Sequence, residues 1–374
     1  MMWRLIADDG VPAAFGLAAD EVLAQNAGGE TGQAALRLYT YRPWCALAGR
    51  FQNIENELHL DYCRANGIEI NRRPTGGGAI IMGSGQLGIA LTLPGRGRHT
   101  YGHARELMAR FSAGIRSALA EFGIEAGFRR KNDLEVGGRK IAGLGIYRDP
   151  AGGLLFHASL LIDLDISLML NILKTPFEKI SDKEIKTVAG RITTMRRESG
   201  THLTLQEVRR SIARSYARTF DITLAPDEFS PAELGRIYEL QQKKYNTAGW
   251  IFQESSVADG TGCGKVKTPA GLIDVRVAMA GKMLKAVHIG GDFFAPESAI
   301  AELEGRLRWH SGDAGAIEQT VRAVYAEKEN ELAGVPVGAL LRAISRAVAD
   351  SEHRMSGEKK EPYGCFVTPE GSHV

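Results

Sequence analysis

The segment from Arg72 to Gly88, RRPTGGGAIIMGSGQLG, narrows the possible folds more than any other part of the chain. Two arginines run into three consecutive glycines, a short apolar run follows, and a second glycine cluster closes the stretch. Naked backbone beside planar cationic side chains suits an anion such as a phosphate. A Walker loop needs lysine and a hydroxyl residue directly after its last glycine, and a dinucleotide fingerprint needs a helix opening on the loop. Here strand-like AIIM follows, which excludes both frames. A glycine-lined β loop is left, either as a plain turn between strands or as a surface where a ligand lies against the backbone. In the second case Arg72 or Arg73 would hold the anion.

The surrounding pattern is α+β. Leu107, Phe111, Ile115, Leu119 and Phe122 recur at helical spacing and mark one buried face of a helix between His103 and Phe122. ALRLYTY alternates, with Leu36 and Leu38 on one face and Arg37, Tyr39 and Tyr41 on the other. AIIM, GIALTL, DLEV, KIAGLGIY and LLFHASLLIDL also read as strands. Glycines at 83 and 85, 137 and 138, and 152 and 153 are spaced to close hairpins. After the amphipathic stretch LQEVRRSIARSYARTF, Pro226 and Pro231 interrupt the pattern, so a boundary is expected there, with one domain over 1–230 and a second over 235–345. The second begins with a helix and a Trp250 segment, continues through LIDVRVAMAGKMLKAVHIGGDFF, and ends in helices near 297–308, 315–328 and 337–349. Residues 350–374 are polar with little periodicity and read as a poorly ordered tail.

Charge and cysteine use limit the partners. The 374-residue chain carries a formal net charge of only +2, so it has no overall field for nucleic acid or anionic lipid. The N-terminus lacks a leader pattern and no segment approaches the ~20 apolar residues of a membrane helix, so the expected location is cytoplasmic. Cys45, Cys63, Cys263 and Cys365 form no CxxC pair, which argues against a zinc ribbon or a disulfide framework. No metal-ligand cluster stands out.

A second stretch, RKNDLEVGGRKIAGLGIYRDPAGGLLFHASLLIDLD (130–165), sets Lys140 inside an apolar run beside small residues. A lone lysine is ordinarily a solvated surface group. In this setting the ammonium can approach a ligand in a partly desolvated site.

Taken together, Arg73-Pro74-Thr75-Gly76-Gly77-Gly78, Asn132-Asp133, Gly138-Arg139-Lys140-Ile141-Ala142-Gly143 and Phe156-His157 resemble the lipoate-protein ligase family, within the biotin/lipoate ligase and acyltransferase superfamily. LRLYTYRPWCALAGRFQN resembles the family's early strands and GRITTM its later loop; GWIFQES and MLKAVHIGGDFF resemble the small accessory domain of two-domain bacterial ligases. The resemblance implies a biotin/lipoate ligase-like catalytic domain with mixed, largely antiparallel sheets flanked by helices, plus a smaller α+β accessory domain. It also implies an enzyme that activates lipoate or octanoate with ATP as an acyl-adenylate, releases pyrophosphate, and passes the acyl group to a lysine of a lipoyl domain. Carried onto this chain, Lys140 would bridge the carboxyl oxygen and the α-phosphate. Gly76, Gly77 and Gly78 with Ala79, Ile80 and Ile81 would shape a narrow tunnel and meet the adenylate. Arg73 would face its phosphate or the carboxylate, and Asp133 and His157 would belong to the binding site. Magnesium would arrive with the nucleotide phosphates.

The rival inside the superfamily is an acyltransferase that works without ATP through a cysteine thioester. The places where related transferases carry that cysteine read RRKNDLEV and NILKTPFEKI here. A non-catalytic lipoate-binding homologue is a third reading, which the retained lysine and glycine loop disfavour. Met82 departs from the family pattern, since many ligases have histidine four residues after the triplet. Arg129, Arg130, Lys131, Arg196 and Arg197 form basic clusters near the motifs, either a solvated face or a surface for an acidic lipoyl domain. The acceptor is left open among dehydrogenase E2 subunits, a glycine-cleavage H protein and a specialised lipoate carrier. A monomer is expected.

Overall fold

The computed structural model describes residues 2–30, 32–95, 101–129, 132–174, 187–253 and 262–357. In the first half the strands are β1 (Met2–Val11), β2 (Ala35–Tyr41), β3 (Cys45–Ala48), β4 (Glu69–Arg72), β5 (Ile80–Met82) and β6 (Gln86–Pro94). They continue with β7 (Gly127–Arg129), β8 (Asp133–Val136), β9 (Arg139–Arg148), β10 (Gly153–Leu161) and β11 (Thr223–Pro226). An eight-stranded sheet runs in the order β11-β1-β2-β6-β10-β9-β8-β7, parallel only where β1 meets β11 and β2. A three-stranded sheet, β4-β3-β5, lies beside it. The α+β class and the mixed, mainly antiparallel sheets expected from the sequence are present.

Alternation explains the two faces of the large sheet. Leu36, Leu38, Ile89, Leu91, Phe156, Ala158, Leu144 and Ile146 all point into one core. The helices Ala104–Phe111, Ala113–Glu121 and Leu205–Phe220 cover it. The expected single helix between 103 and 122 is broken at Ser112. Just beyond the break, a Cβ at Gly114 would press into the ring of Tyr216, so the second segment lies close against the helix 205–220. The opposite sheet face carries Tyr39, Tyr41, Ala90 and Leu155 and is partly roofed by the helix Ala13–Gly28 and the small sheet.

The strands β12 (Gly262–Thr268), β13 (Gly271–Ala280), β14 (Met283–Gly291) and β15 (His310–Ser311) form a separate antiparallel sheet. It packs with helices 297–307, 314–327 and 337–357 around its own core, centred on Val275, Val277, Leu303 and Leu340.

The two prolines that mark the expected boundary lie in regular elements. Pro226 ends the edge strand β11, and Pro231 opens a helix, Pro231–Leu240, whose capping box joins Ser230 and Glu233. That helix packs on Ala13–Gly28, and Ile237 and Tyr245 belong to the core beneath the large sheet. Trp250 donates from Nε1 to the carbonyl of Arg72 at 3.0 Å, so the GWIF segment also sits with the first unit. The prolines punctuate packed elements rather than a linker. Two of the three expected glycine hairpins form; Gly83 and Gly85 instead join β5 to β6, which lie in different sheets. The last helix runs to Gly357, into the stretch read as a tail, and residues 358–374 lie outside the described residues.

Candidate functional site

Cross-strand register builds the floor of a cavity of about 210 Å³. Tyr39 on β2 pairs with Gly88 on β6, Gly88 with Ser159 on β10, Ser159 with Gly143 on β9, and Gly143 with Asp133 on β8. The next row two residues along holds Arg37, Ala90, His157 and Gly145. The ring of Tyr39 lies over Gly88 and that of His157 over Gly145, so these rows line the cavity through Tyr39, Ser159, Gly143, His157 and Asp133, with Tyr39 at one end and Asp133 at the other. Leu17 of the helix above, Leu47 of β3 and Met82 of β5 complete the Tyr39 end together with Tyr41. The span from β2 to β9 is three strand spacings, about 14 Å.

Lys140 reaches the far end because of a β-bulge. Leu134 pairs with Ala142 but Glu135 pairs with Lys140, so Ile141 is the extra residue. Regular alternation from Gly143 would send position 140 into the core. The bulge sends Ile141 there, fully buried, and brings Lys140 onto the cavity face. Its Nζ lies 2.7 Å from Asp133 Oδ1, with the lysine side chain about a third exposed (33%). The GRITTM loop locks this strand edge: Lys140 N donates to Arg191 O and Thr193 N donates to Lys140 O, both at 2.8 Å. Arg139 turns away and donates to Glu198 Oε1 at 2.8 Å.

The glycine loop divides its labour. A Cβ at Gly76 would overlap the carbonyl oxygen of Phe293 in the second unit, so this glycine admits the GGDFF segment rather than a ligand. Gly77 adopts φ +95°, where glycine is favoured, and its carbonyl packs on Gly49. Gly78 alone of the three has open space beside its Cα, and it lines the cavity with Ala79 and Ile80. Ile81 faces away into a core with Ile54, Leu58 and Ile172.

Both loop arginines are occupied with backbone. Arg72 donates to the carbonyls of Gly49, Arg50, Gln52, Trp250 and Ile251, which removes it from the anion-binding candidates. Burial pulls its pKa down to about 9. Arg73 lines the cavity but donates from Nη1 to Leu47 O at 2.7 Å and from Nη2 to Gly78 O at 2.8 Å, so it braces the glycine loop. Burial lowers its pKa to about 10. His157 contacts Thr75 Oγ1 through Nε2 at 3.0 Å. Burial, then the charge of Arg73, pushes its pKa down to about 3, so the ring is neutral; what exposure it keeps faces the cavity.

The structure therefore brings together Lys140, Asp133, His157, Arg73, Gly78, Ala79 and Ile80, and leaves Gly76, Gly77 and Ile81 outside the cavity wall. Tyr39, Tyr41, Ser159 and Asp292 line it without having been singled out as site residues. The alternation of ALRLYTY carried the signal for the two tyrosines; nothing local marks Asp292. A second cavity of about 310 Å³ lies between the two units and shares Gly78, Ala79 and Asp292 with the first. Among the basic residues, Arg196 is paired with Asp163 and Arg197 donates to Ala189 O, while Arg130 and Lys131 lie outside the described residues.

A cavity of the large sheet with a lysine and its carboxylate partner at one end and two tyrosines at the other is the candidate active site. Residues 12–217 match the Lipoyl protein ligase A/B catalytic domain, and the chain belongs to that family. An octanoyltransferase, LipM, of Symbiobacterium thermophilum is 28% identical over 67% of this chain and 98% of its own length. The lipoate-protein ligase LplJ of Bacillus subtilis is 26% identical over 74% of this chain and 80% of its own. Among solved structures, the bipartite lipoate protein ligase of Thermoplasma acidophilum superposes with a TM-score of 0.61 at 27% identity, covering 67% of this chain and 96% of that one. LipL1 of P. falciparum, in complex with lipoate, shares the fold over 90% of this chain and 99% of its own, with a TM-score of 0.68 at 16% identity. Lipoate ligation or transfer is thus the activity class. Among the described residues no helix is long and apolar enough to cross a membrane.

Proposed function

We propose that this chain is an ATP-dependent lipoate-protein ligase. The observation that carries the reading is a lysine-bearing cavity without a thiol: among the described residues, Cys45, Cys63 and Cys263 do not line it. Burial raises the pKa of all three, which favours the protonated thiol over the nucleophilic thiolate. Cys365 lies outside the described residues.

In this reading the acyl chain lies along Gly143, Ser159 and Tyr39, with its carboxylate beside Lys140. A carboxylate oxygen attacks the α-phosphorus of ATP, the new O–P bond forms, and the bond to pyrophosphate breaks. Lys140 is preoriented by Asp133 and offsets the charge that builds on the transferring oxygens. In the second step the neutral amine of the acceptor lysine adds to the acyl carbon, AMP leaves, and the amine proton passes to solvent. His157, neutral and held at Thr75, offers a hydrogen-bonding wall without adding a cation. Among the described residues no three His, Cys, Asp or Glu side chains gather to hold a metal ion. Magnesium enters this reading only as the nucleotide's counter-ion. The acceptor is a lipoyl-domain protein, and an E2 lipoyl domain of the kind paired with the Thermoplasma ligase is the first to try.

The octanoyltransferases among the relatives make ATP-free thioester transfer the second reading. The test incubates the full chain with lipoate, ATP and a purified lipoyl domain, and follows pyrophosphate release and the acceptor's mass. A variant with all four cysteines changed to alanine should retain activity within severalfold. Acylation from an octanoyl carrier protein without ATP, lost on a single Cys→Ala change, would replace the ligase by a transferase.

A further inference from the structure

The four-stranded sheet of the second unit has one covered face and one open one. Val275, Val277, Leu284, Val287 and Ile289 belong to the core it shares with its helices. Arg276 and His288, paired across β13 and β14, look out of the other face and line the cavity between the units. Followed from His288 back to Met283, the open face ends at the turn between β13 and β14, roughly 15 Å from that cavity. Four large apolar side chains are exposed among the described residues, and two of them, Met283 at 41% and Trp309 at 54%, stand at this corner. The ladder pairs Met283 with Ser311 and Leu284 with His310, which sets Trp309 one diagonal step from Met283. Trp309 is held at φ +57°, an unusual conformation for so bulky a residue, and its backbone N donates to Leu284 O at 2.6 Å.

Lys282, Lys285 and Arg308 flank the pair in the chain, all three are exposed, and among the described residues no carboxylate pairs with them. The carboxylates at either end of the Arg308 segment are engaged elsewhere. Glu304 accepts from Ile289 N at 2.7 Å and faces His288, and Asp313 accepts from Ala316 N at 3.0 Å. An indole and a thioether beside unpaired cations form an apolar anchor with a basic rim, which suits an acidic protein surface. A bilayer is the poorer fit: even a single myristoyl chain binds membranes only marginally, and these two side chains offer less apolar surface. We propose that Trp309, Met283, Lys282, Lys285 and Arg308 form the docking surface for an acidic protein domain, the one that carries the acceptor lysine. A domain of about 100 residues has a radius of gyration near 13 Å, so one seated at this corner reaches the cavity between the units. That cavity shares Gly78, Ala79 and Asp292 with the one that holds Lys140. The identity of the acceptor rests on the ligase reading; the surface itself is tested by binding.

The experiment uses the full chain and a purified, unmodified E2 lipoyl domain of acidic surface. Calorimetry without ATP measures binding of the domain, and acylation with lipoate and ATP gives KM for the domain and kcat. One variant reverses the three charges, Lys282→Glu with Lys285→Glu and Arg308→Glu; a second, Trp309→Asn, places there a residue that tolerates φ +57°. The triple variant should weaken binding and raise KM by roughly tenfold or more, and Trp309→Asn by about fivefold, with kcat changed less than about twofold. Melting temperatures and pyrophosphate release in the absence of the domain should stay at the wild-type level. Added salt should raise the KM of wild type and leave that of the triple variant nearly flat. Affinity and KM unmoved in both variants would overturn the proposal. So would sedimentation of wild type with phosphatidylserine vesicles that the triple variant loses while its KM is unchanged, since the patch would then serve a membrane. If lipoate and ATP release no pyrophosphate, the ligase reading fails, and calorimetry with the same variants still decides the docking surface.

Discussion

Replacing Lys140 by alanine isolates the cation on which the proposed chemistry depends. An ammonium about 3 Å from an anionic oxygen contributes roughly 5 kcal/mol at an effective dielectric near 20. Lys140 keeps 33% of its side-chain exposure and already faces Asp133 at 2.7 Å, so solvent and the competing carboxylate reduce that figure. About 3 kcal/mol of transition-state stabilisation remains, which corresponds to a rate loss on the order of 100-fold. The fold should hold, because the strand edge is fixed by the backbone bonds to Arg191 and Thr193 rather than by the ammonium. Arg139→Ala is the internal control: it removes a partly exposed ion pair with Glu198, worth at most about 1 kcal/mol of stability, and should cost less than tenfold in rate. Lys140→Arg should fail like alanine, since a broad planar fork does not fit where a compact ammonium lies against Gly143. The assay is lipoate-dependent pyrophosphate release by the three purified variants, with melting temperatures alongside. Wild-type turnover by Lys140→Ala would refute the assignment of the bulge as the device that delivers the reacting cation.

Three further outcomes are expected. Gly76→Ala should destabilise the protein by about 1–3 kcal/mol in urea melts because its Cβ meets backbone, whereas Gly78→Ala, which faces open space, should leave stability nearly unchanged and weaken lipoate binding; the reverse ranking would contradict the division of the loop. His157 has its pKa lowered from 6.5 to about 3, so its contribution is complete above pH 6.5 and is lost as pH falls toward 3, at no more than about 1.4 kcal/mol per pH unit. A His157→Gln protein should show a shallower loss between pH 7 and 5, and identical slopes would mean that the imidazole charges freely in the fold. Finally, a fragment ending at Phe252 should give a cooperative thermal transition, while one ending at Phe229 loses the helix packed on Ala13–Gly28 and should melt lower or fail to fold.

Much of the scaffold was written locally. The alternation of ALRLYTY gives β2 and its two faces, and LQEVRRSIARSYARTF coincides with the helix Leu205–Phe220. The cluster of Lys140, Asp133 and Gly78 around one cavity was also legible, through its motifs. What escaped depends on distant partners. Arg72 and Arg73 look alike in sequence, but only the structure shows five carbonyls converging on the first. The requirement for glycine at 76 comes from a carbonyl at 293. The bulge at Ile141 is invisible to a strict period of two, although it decides which face Lys140 occupies. Pro226 and Pro231 could not be placed from sequence because proline serves equally well at a strand end, at a helix start and in a linker.

The contact between Gly76 and Phe293 also sets an order of events during synthesis. Phe294 packs into the core of the large sheet, and Asp292 forms part of the cavity wall. The glycine loop therefore emerges from the ribosome about 220 residues before the segment that closes over it, an interval of roughly 10–40 s at ordinary elongation rates. Once Ser159 has followed, all but one of the cavity-lining residues are present while Asp292 is still about 130 residues away. A molecule that bound those residues in the meantime would favour the folded arrangement before the last wall arrives.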